Sequence, residues 1–152
     1  MQITEHFHLD EFKKSMYAIR HNIDNTPPPL AVENIIKLCK VVLQPLRNLY
    51  GSPIYITSGY RCPELNSLIG GSTASQHMSG MAADIDTQYD NRRLFKIIQN
   101  ELLFDQLIWE FGGDDRPEWI HVSYMDGARR ERLRAYKDEG GSTIYVPFEL
   151  AV

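Results

Sequence analysis

The stretch Ser75-Gln76-His77-Met78-Ser79-Gly80-Met81-Ala82-Ala83-Asp84 places an imidazole and a carboxylate seven residues apart, with mostly small or flexible residues between them. A second imidazole follows in Glu118-Trp119-Ile120-His121. His77, Asp84 and His121 offer three ligands to a divalent metal and leave a fourth position for water. That is the composition of a catalytic zinc site rather than a closed structural one. Zinc lowers the pKa of a bound water from about 15.7 towards roughly 7, which makes hydroxide available at neutral pH. Glu118, three residues before His121, is the preferred general base, able to take the water's proton and hand it to a leaving amine. Glu110, at the end of the preceding β-rich run, is its rival. Arg61, in Ser58-Gly59-Tyr60-Arg61, follows a strand end and a glycine, where a guanidinium could bind a substrate carboxylate or steady an oxyanion.

Alternation along the second histidine's segment supports this reading. In residues 119 to 124, Ile120 and Val122 point to one side of a strand while Trp119, His121 and Ser123 point to the other. A histidine facing away from the aliphatic side chains is placed for ligation rather than packing. Asp86 shares a face with Asp84 and is a secondary ligand candidate or a supporting partner. His6, His8 and His21 read as ordinary surface or core residues, the first two close enough to bind adventitious metal. One zinc ion is the expected cofactor, although two histidines and a carboxylate accept other divalent ions as well.

Elements that can position these residues are legible around them. Residues 9 to 20 read as a short helix with Asp10 and Glu11 at its positive end. Asn25-Thr26-Pro27-Pro28-Pro29 is a stiff extended connector. A longer helix from about 31 to 50 carries Val32, Ile35, Cys39, Val42, Leu46 and Leu49 on one buried stripe, with a kink or break at Pro45 and an end at Gly51. Short helices are predicted over 63–69 and 91–100. Strands are predicted over 54–57, 82–86, 106–110, 119–124 and 143–146, with residues 112 to 117 as a hairpin turn between the third and fourth. The expected class is α+β: a single domain, residues 1–152, with a mostly antiparallel sheet flanked by helices.

At 152 residues, roughly 70% of the unfolded surface can be buried, so the core needs no disulfide staples. The two cysteines, Cys39 and Cys62, form no metal-binding pair, and Cys39 is a small core residue. The net charge of -4 argues against nucleic acid as a partner. Arg129, Arg130, Arg132 and Arg134 are interleaved with acidic residues and read as a solvated helical or loop face. No apolar run is long enough to span a membrane, and the N-terminus carries no signal-peptide pattern. The expectation is a monomer made in the cytoplasm that acts elsewhere only after release or export by another route.

The motif around His77 and Asp84, together with Glu118-Trp119-Ile120-His121, resembles the zinc D-Ala-D-Ala carboxypeptidase family, which includes bacterial DD-carboxypeptidases and dipeptidases and phage L-alanyl-D-glutamate endopeptidases. Ser58-Gly59-Tyr60-Arg61 is similar to the family's arginine-bearing turn, and Asn66 with Gly70-Gly71-Ser72 resembles its lead into the first ligand; the likeness spans about residues 30–125. The resemblance implies zinc on His77, Asp84 and His121, acid/base work by Glu118, substrate or oxyanion stabilisation by Arg61, and support of the ligand loop by Ser75. It implies a peptidoglycan stem peptide as substrate, cut at a bond involving a D-residue. Without an export signal, a phage- or prophage-type lysin fits better than a secreted carboxypeptidase. A non-catalytic wall-binding or phage structural module on the same zinc fold is the alternative.

Overall fold

In a computed structural model, which describes all of residues 1–152, six strands form one sheet in the order β1-β2-β4-β3-β5-β6. They are β1 (Tyr55–Ser58), β2 (Ala82–Asp86), β3 (Gln106–Glu110), β4 (Trp119–Ser123), β5 (Glu131–Lys137) and β6 (Thr143–Pro147). All neighbours are antiparallel except β3 and β5, which run parallel. The class is the expected α+β.

Alternation gives the sheet two unlike faces. Ala83 and Ile85 on β2, Leu107 and Trp109 on β3, and Ile120 and Val122 on β4 are buried in the apolar core. Helix α6 (Asn91–Glu101) covers them through Leu94, Phe95 and Ile98. Asp90 caps α6 by accepting from the Arg93 amide at 3.0 Å. Phe95, Trp109 and Phe148 meet edge to face, with ring centroids 5.3–5.7 Å apart; such pairs add about 0.5–1.5 kcal/mol each beyond their buried area. The opposite face carries Asp84, Ile108, Glu110 and His121 and stays open.

The long helix forms as α3 (Pro29–Leu38), a π-helical turn (Cys39–Leu43) and α4 (Gln44–Tyr50). Pro45 neither ends nor breaks the run. Its ring would clash with the carbonyl four residues back and it has no N–H to give; the wider turn accommodates it, and the Gln44 amide reaches back five residues to the Cys39 carbonyl. Gly51 closes α4 in the left-handed region, at φ 81°. Cys39 lies fully in the core, where burial pushes its thiol up to about 12.

Four expectations are corrected. The helix over 9–20 divides into α1 (Asp10–Lys13) and α2 (Met16–Arg20), because the Ser15 hydroxyl caps a new start by accepting from the Ala18 amide. Pro29 belongs to the first turn of α3 rather than to the extended connector, since a proline there gives up no hydrogen bond. Leu49 is half exposed, because the π turn rotates α4 relative to the stripe. The arginine cluster is not a solvated helical or loop face: residues 131–137 form β5, Arg129 is paired with buried Asp105 at 2.9 Å, and buried Arg134 stacks on Trp109, Tyr136 and Phe148 while bonding Asp114 at 2.7 Å.

Candidate metal centre

Asp84 and His121 are direct cross-strand partners on β2 and β4, so one backbone register brings the first carboxylate and the second imidazole side by side. His77 comes from a short 3-10 helix (Gln76–Ser79) between α5 (Pro63–Leu68) and β2. The Ser75 hydroxyl caps that turn by accepting from the His77 amide at 3.2 Å. The turn ends at Gly80, whose φ of 74° is left-handed and whose added Cβ would lie 2.4 Å from the Ala31 carbonyl oxygen. Only glycine satisfies both conditions. It lets the chain double back so that His77 and Asp84, seven residues apart, face each other.

The imidazole of His77 is oriented from behind. Its Nδ1–H donates to the Gly59 carbonyl at 2.7 Å, which leaves Nε2 with a free lone pair 3.4 Å from the Asp84 Oδ1. The His121 Nδ1 lies 3.3 Å from the same oxygen, and the ligand atoms of all three residues fall within 4.8 Å of one another. A tetrahedral zinc with bonds of about 2.1 Å separates neighbouring ligand atoms by about 3.4 Å; the two edges to Asp84, 3.4 and 3.3 Å, agree with that. The other His121 nitrogen, Nε2, is buried without a partner. The donor set and its spacing fit the ion. Burial pushes the Asp84 carboxyl up, but the two imidazoles outweigh it and hold the group well below its usual range.

The cluster opens into a groove of about 670 Å³ on the open face of the sheet. Glu110 lines it, only 8% exposed, and its carboxylate has no hydrogen-bond or ion-pair partner. Burial pushes its carboxyl up to about 7, against the opposing pull of His121. Arg61 lines the groove beside the His77 turn. Its amide donates to the His77 carbonyl at 3.1 Å, and its Nη2 donates to the Ser75 hydroxyl at 3.4 Å. Burial lowers the Arg61 pKa, partly offset by Asp84 and Glu110.

Glu118 does not join this group. It is exposed and lines a separate polar groove with Asp86, Tyr89 and Arg116. Glu118 precedes the first residue of β4, and the groove it lines contains none of His77, Asp84 and His121. Glu110 is on the cluster's face: it is opposite Trp119 as Ile108 is opposite His121, and Trp119 and His121 share a face. Asp86 also lies away from the cluster, bonded to Asn91 at 2.7 Å.

Two supporting side chains had no visible signal. Asn25, in the connector, is buried; its amide donates to the Tyr60 carbonyl at 2.9 Å and its oxygen accepts from the Cys62 amide at 2.8 Å, clamping the turn that carries Arg61. Asp105 accepts from Gln76 at 2.9 Å, beside His77, and from the Arg129 guanidinium at 2.9 and 3.0 Å. The Arg129 bonds hold its carboxyl down at about 2.

A family model described as Peptidase M15 matches residues 5–123, and no curated protein matches the chain. The match covers both histidines, Asp84, Glu110 and Arg61. The chain belongs to the M15 family of zinc D-Ala-D-Ala carboxypeptidases.

Proposed function

From its membership of the M15 family, we propose that this chain is a zinc peptidase that hydrolyses a peptide bond next to a D-residue in peptidoglycan stem peptides, with Glu110 as its acid/base. The observation that carries the assignment is the open sheet face, where the His77, Asp84 and His121 cluster, Glu110 and Arg61 line one groove. His77, Asp84 and His121 would hold the ion. When bound, zinc supplies Lewis acidity, polarising the scissile carbonyl and acidifying a water.

The chain's own groups do the rest. Glu110 takes a proton from the attacking water and delivers it to the nitrogen of the leaving amine. Its buried carboxyl, raised to about 7, suits a group that must both accept and release a proton near neutrality. Arg61 faces the negative charge that grows on the carbonyl oxygen as the carbon becomes tetrahedral. The Gly59 carbonyl keeps His77 in the tautomer with Nε2 unprotonated. Carboxypeptidase and endopeptidase action share every one of these steps.

The test is incubation of purified protein with peptidoglycan fragments, with and without chelator, and mass spectrometry of the products. Release of a terminal D-Ala, or a cut between L-Ala and D-Glu, that disappears with chelator and in His121→Ala supports the proposal and names the bond. One bound zinc per chain with no cleavage of any fragment overturns it in favour of a wall-binding module.

A further inference from the structure

The groove has a second wall that lies outside the family match. Strands β5 and β6, residues 131–147, begin after residue 123, where that match ends, yet they complete the open face of the sheet. The register runs Trp119, Glu110, Ala135, Tyr145 across β4, β3, β5 and β6. Ala135, between Glu110 and Tyr145, is the smallest side chain of that row. It is fully buried, and the groove is lined on either side of it by Glu110 and Tyr145. Tyr145 lines the same groove as Glu110 and Asp84, and burial together with their charges raises the pKa of its hydroxyl.

Three cations line the groove: Arg61, Arg129 and Lys137. Arg129 is committed to Asp105 through two side-chain bonds. Arg61 lies beside the His77 turn. Lys137 comes from the end of β5, on the far side of Glu110. Its Nζ donates to the Thr143 hydroxyl at 2.8 Å and sits 5.2 Å from the centre of the Phe111 ring, and it has no carboxylate partner. Phe111 directly follows Glu110 and is held at φ 56°, a left-handed conformation that a bulky residue rarely adopts. Its ring meets Trp119 edge to face at 5.5 Å. The ammonium thus sits over the Phe111 ring in the wall of the groove, with no carboxylate partner.

Stem-peptide chemistry supplies the matching anion. A terminal D-Ala carries a free α-carboxylate, and so does a D-Glu linked through its side chain. In both cuts open to this enzyme, the residue that leaves bears a carboxylate one carbon from the scissile nitrogen. Glu110 must face that nitrogen to protonate it, which directs the adjacent carboxylate onto the wall beyond Glu110.

Resting on the peptidase reading above, we infer that Lys137, with the Tyr145 hydroxyl, forms the subsite that binds the α-carboxylate of the leaving residue. The C-terminal hairpin then selects substrates by charge next to the cut, and Arg61 is free to serve the carbonyl oxygen.

The experiment compares a stem peptide that wild type cleaves with the same peptide carrying a primary amide in place of that carboxylate. Kinetics are measured for wild type, Lys137→Met and Lys137→Arg, and binding of both peptides to zinc-loaded Glu110→Gln, with and without Lys137→Met, is followed by calorimetry. A hydrogen bond to a charged group predicts that Lys137→Met loses about 10- to 100-fold in kcat/KM on the acid, mainly through KM. The amide should change less than about threefold, zinc content should stay the same, and Lys137→Arg should recover much of the loss. Calorimetry should show the same loss of acid-over-amide preference. Equal losses on both peptides, or no loss on either, with wild type active, overturn the subsite and leave the peptidase reading intact. Failure of wild type to cleave any stem peptide overturns both.

Discussion

Glu110 and His121 stand diagonally across the β3–β4 pair on one face of the sheet, Ile108 being opposite His121 and Glu110 two residues further along β3. Diagonal partners of this kind are about 7–8 Å apart, within reach of long side chains. The carboxylate and a group held at His121 can therefore share one water. Glu118 is next to Glu110 through its amide, which donates to the Glu110 carbonyl at 3.0 Å, but its side chain belongs to the other groove.

This relationship separates the two glutamates by mutation. Glu110→Gln should lower kcat by about 10²- to 10⁴-fold, the usual contribution of a general acid/base, with zinc still bound. Glu118→Gln should stay within about threefold of wild type, since exposed surface substitutions rarely matter more. A Glu118→Gln protein that binds zinc but has lost its activity would restore the sequence-based choice.

The ionisation of Glu110 also predicts a pH-dependent stability in the metal-free protein. Its folded value, about 7, is above the ordinary 4.5, so folding favours the protonated form. The stabilisation is fully present below about pH 4.5 and is lost as pH rises through 7. At 1.36 kcal/mol per unit, the loss amounts to roughly 3 kcal/mol. Urea denaturation between pH 4.5 and 8.5 should show this fall in wild type, and Glu110→Gln should lack it. Parallel profiles would mean that the buried carboxyl titrates normally.

Metal removal should be felt as lost stability as well as lost activity. A ligand that binds only the folded state stabilises by about 2.7 kcal/mol at a hundred times its Kd. Zinc should therefore raise the Tm of wild type and fail to do so in His77→Ala and Asp84→Ala. Differential scanning fluorimetry with and without chelator measures the shift, and an unchanged response in either variant would remove that residue from the ligand set.

The Gly80 turn should tolerate no side chain. Gly80→Ala must place a Cβ 2.4 Å from the Ala31 carbonyl oxygen at a φ of 74°. Left-handed strain alone costs roughly 1–2 kcal/mol, and the contact adds to it. A fall in stability of about 2 kcal/mol or more is expected in denaturant unfolding, with weakened zinc binding, because the turn sets His77 against Asp84. A variant as stable as wild type would show that the turn can shift without loss.

Asp105 links the His77 turn to the segment that enters β5. Asp105→Asn should weaken the Arg129 bonds and lower stability by about 1–3 kcal/mol, the range for loosening a buried charged hydrogen-bond partner. Zinc affinity should fall along with it, measured by competition with a chelating dye. Lost stability with unchanged zinc affinity would show that Gln76 keeps the turn in place without Asp105.

Much of the site was legible because its information is local. His77 and Asp84 lie within one ten-residue stretch, the glycine between them marks the turn, and the alternation of Trp119-Ile120-His121-Val122 tells which side of the strand the imidazole takes. Five of the six strands and the α+β class could be read from periodicity and turn residues. β5 could not, because the positions on its core side, Arg132 and Arg134, are arginines and those on its open side are mixed; Arg134 is buried only because Trp109, Tyr136 and Phe148 surround it. The choice between Glu110 and Glu118 was left open by the residues, since Glu118 precedes its strand and its position in a separate groove follows only from the fold.

By itself, then, the sequence determined the donor types, their spacing and the local turns that make a two-histidine, one-carboxylate cluster feasible. Strand register decided the rest. It placed Asp84 opposite His121, brought Glu110 diagonally onto the same face, and carried Lys137 and Tyr145 to the far wall of the groove. Which residues become neighbours across a sheet depends on hydrogen bonds between segments distant in the chain, and those are selected by burying one whole face of the sheet against the helices rather than by any residue's own neighbours in sequence.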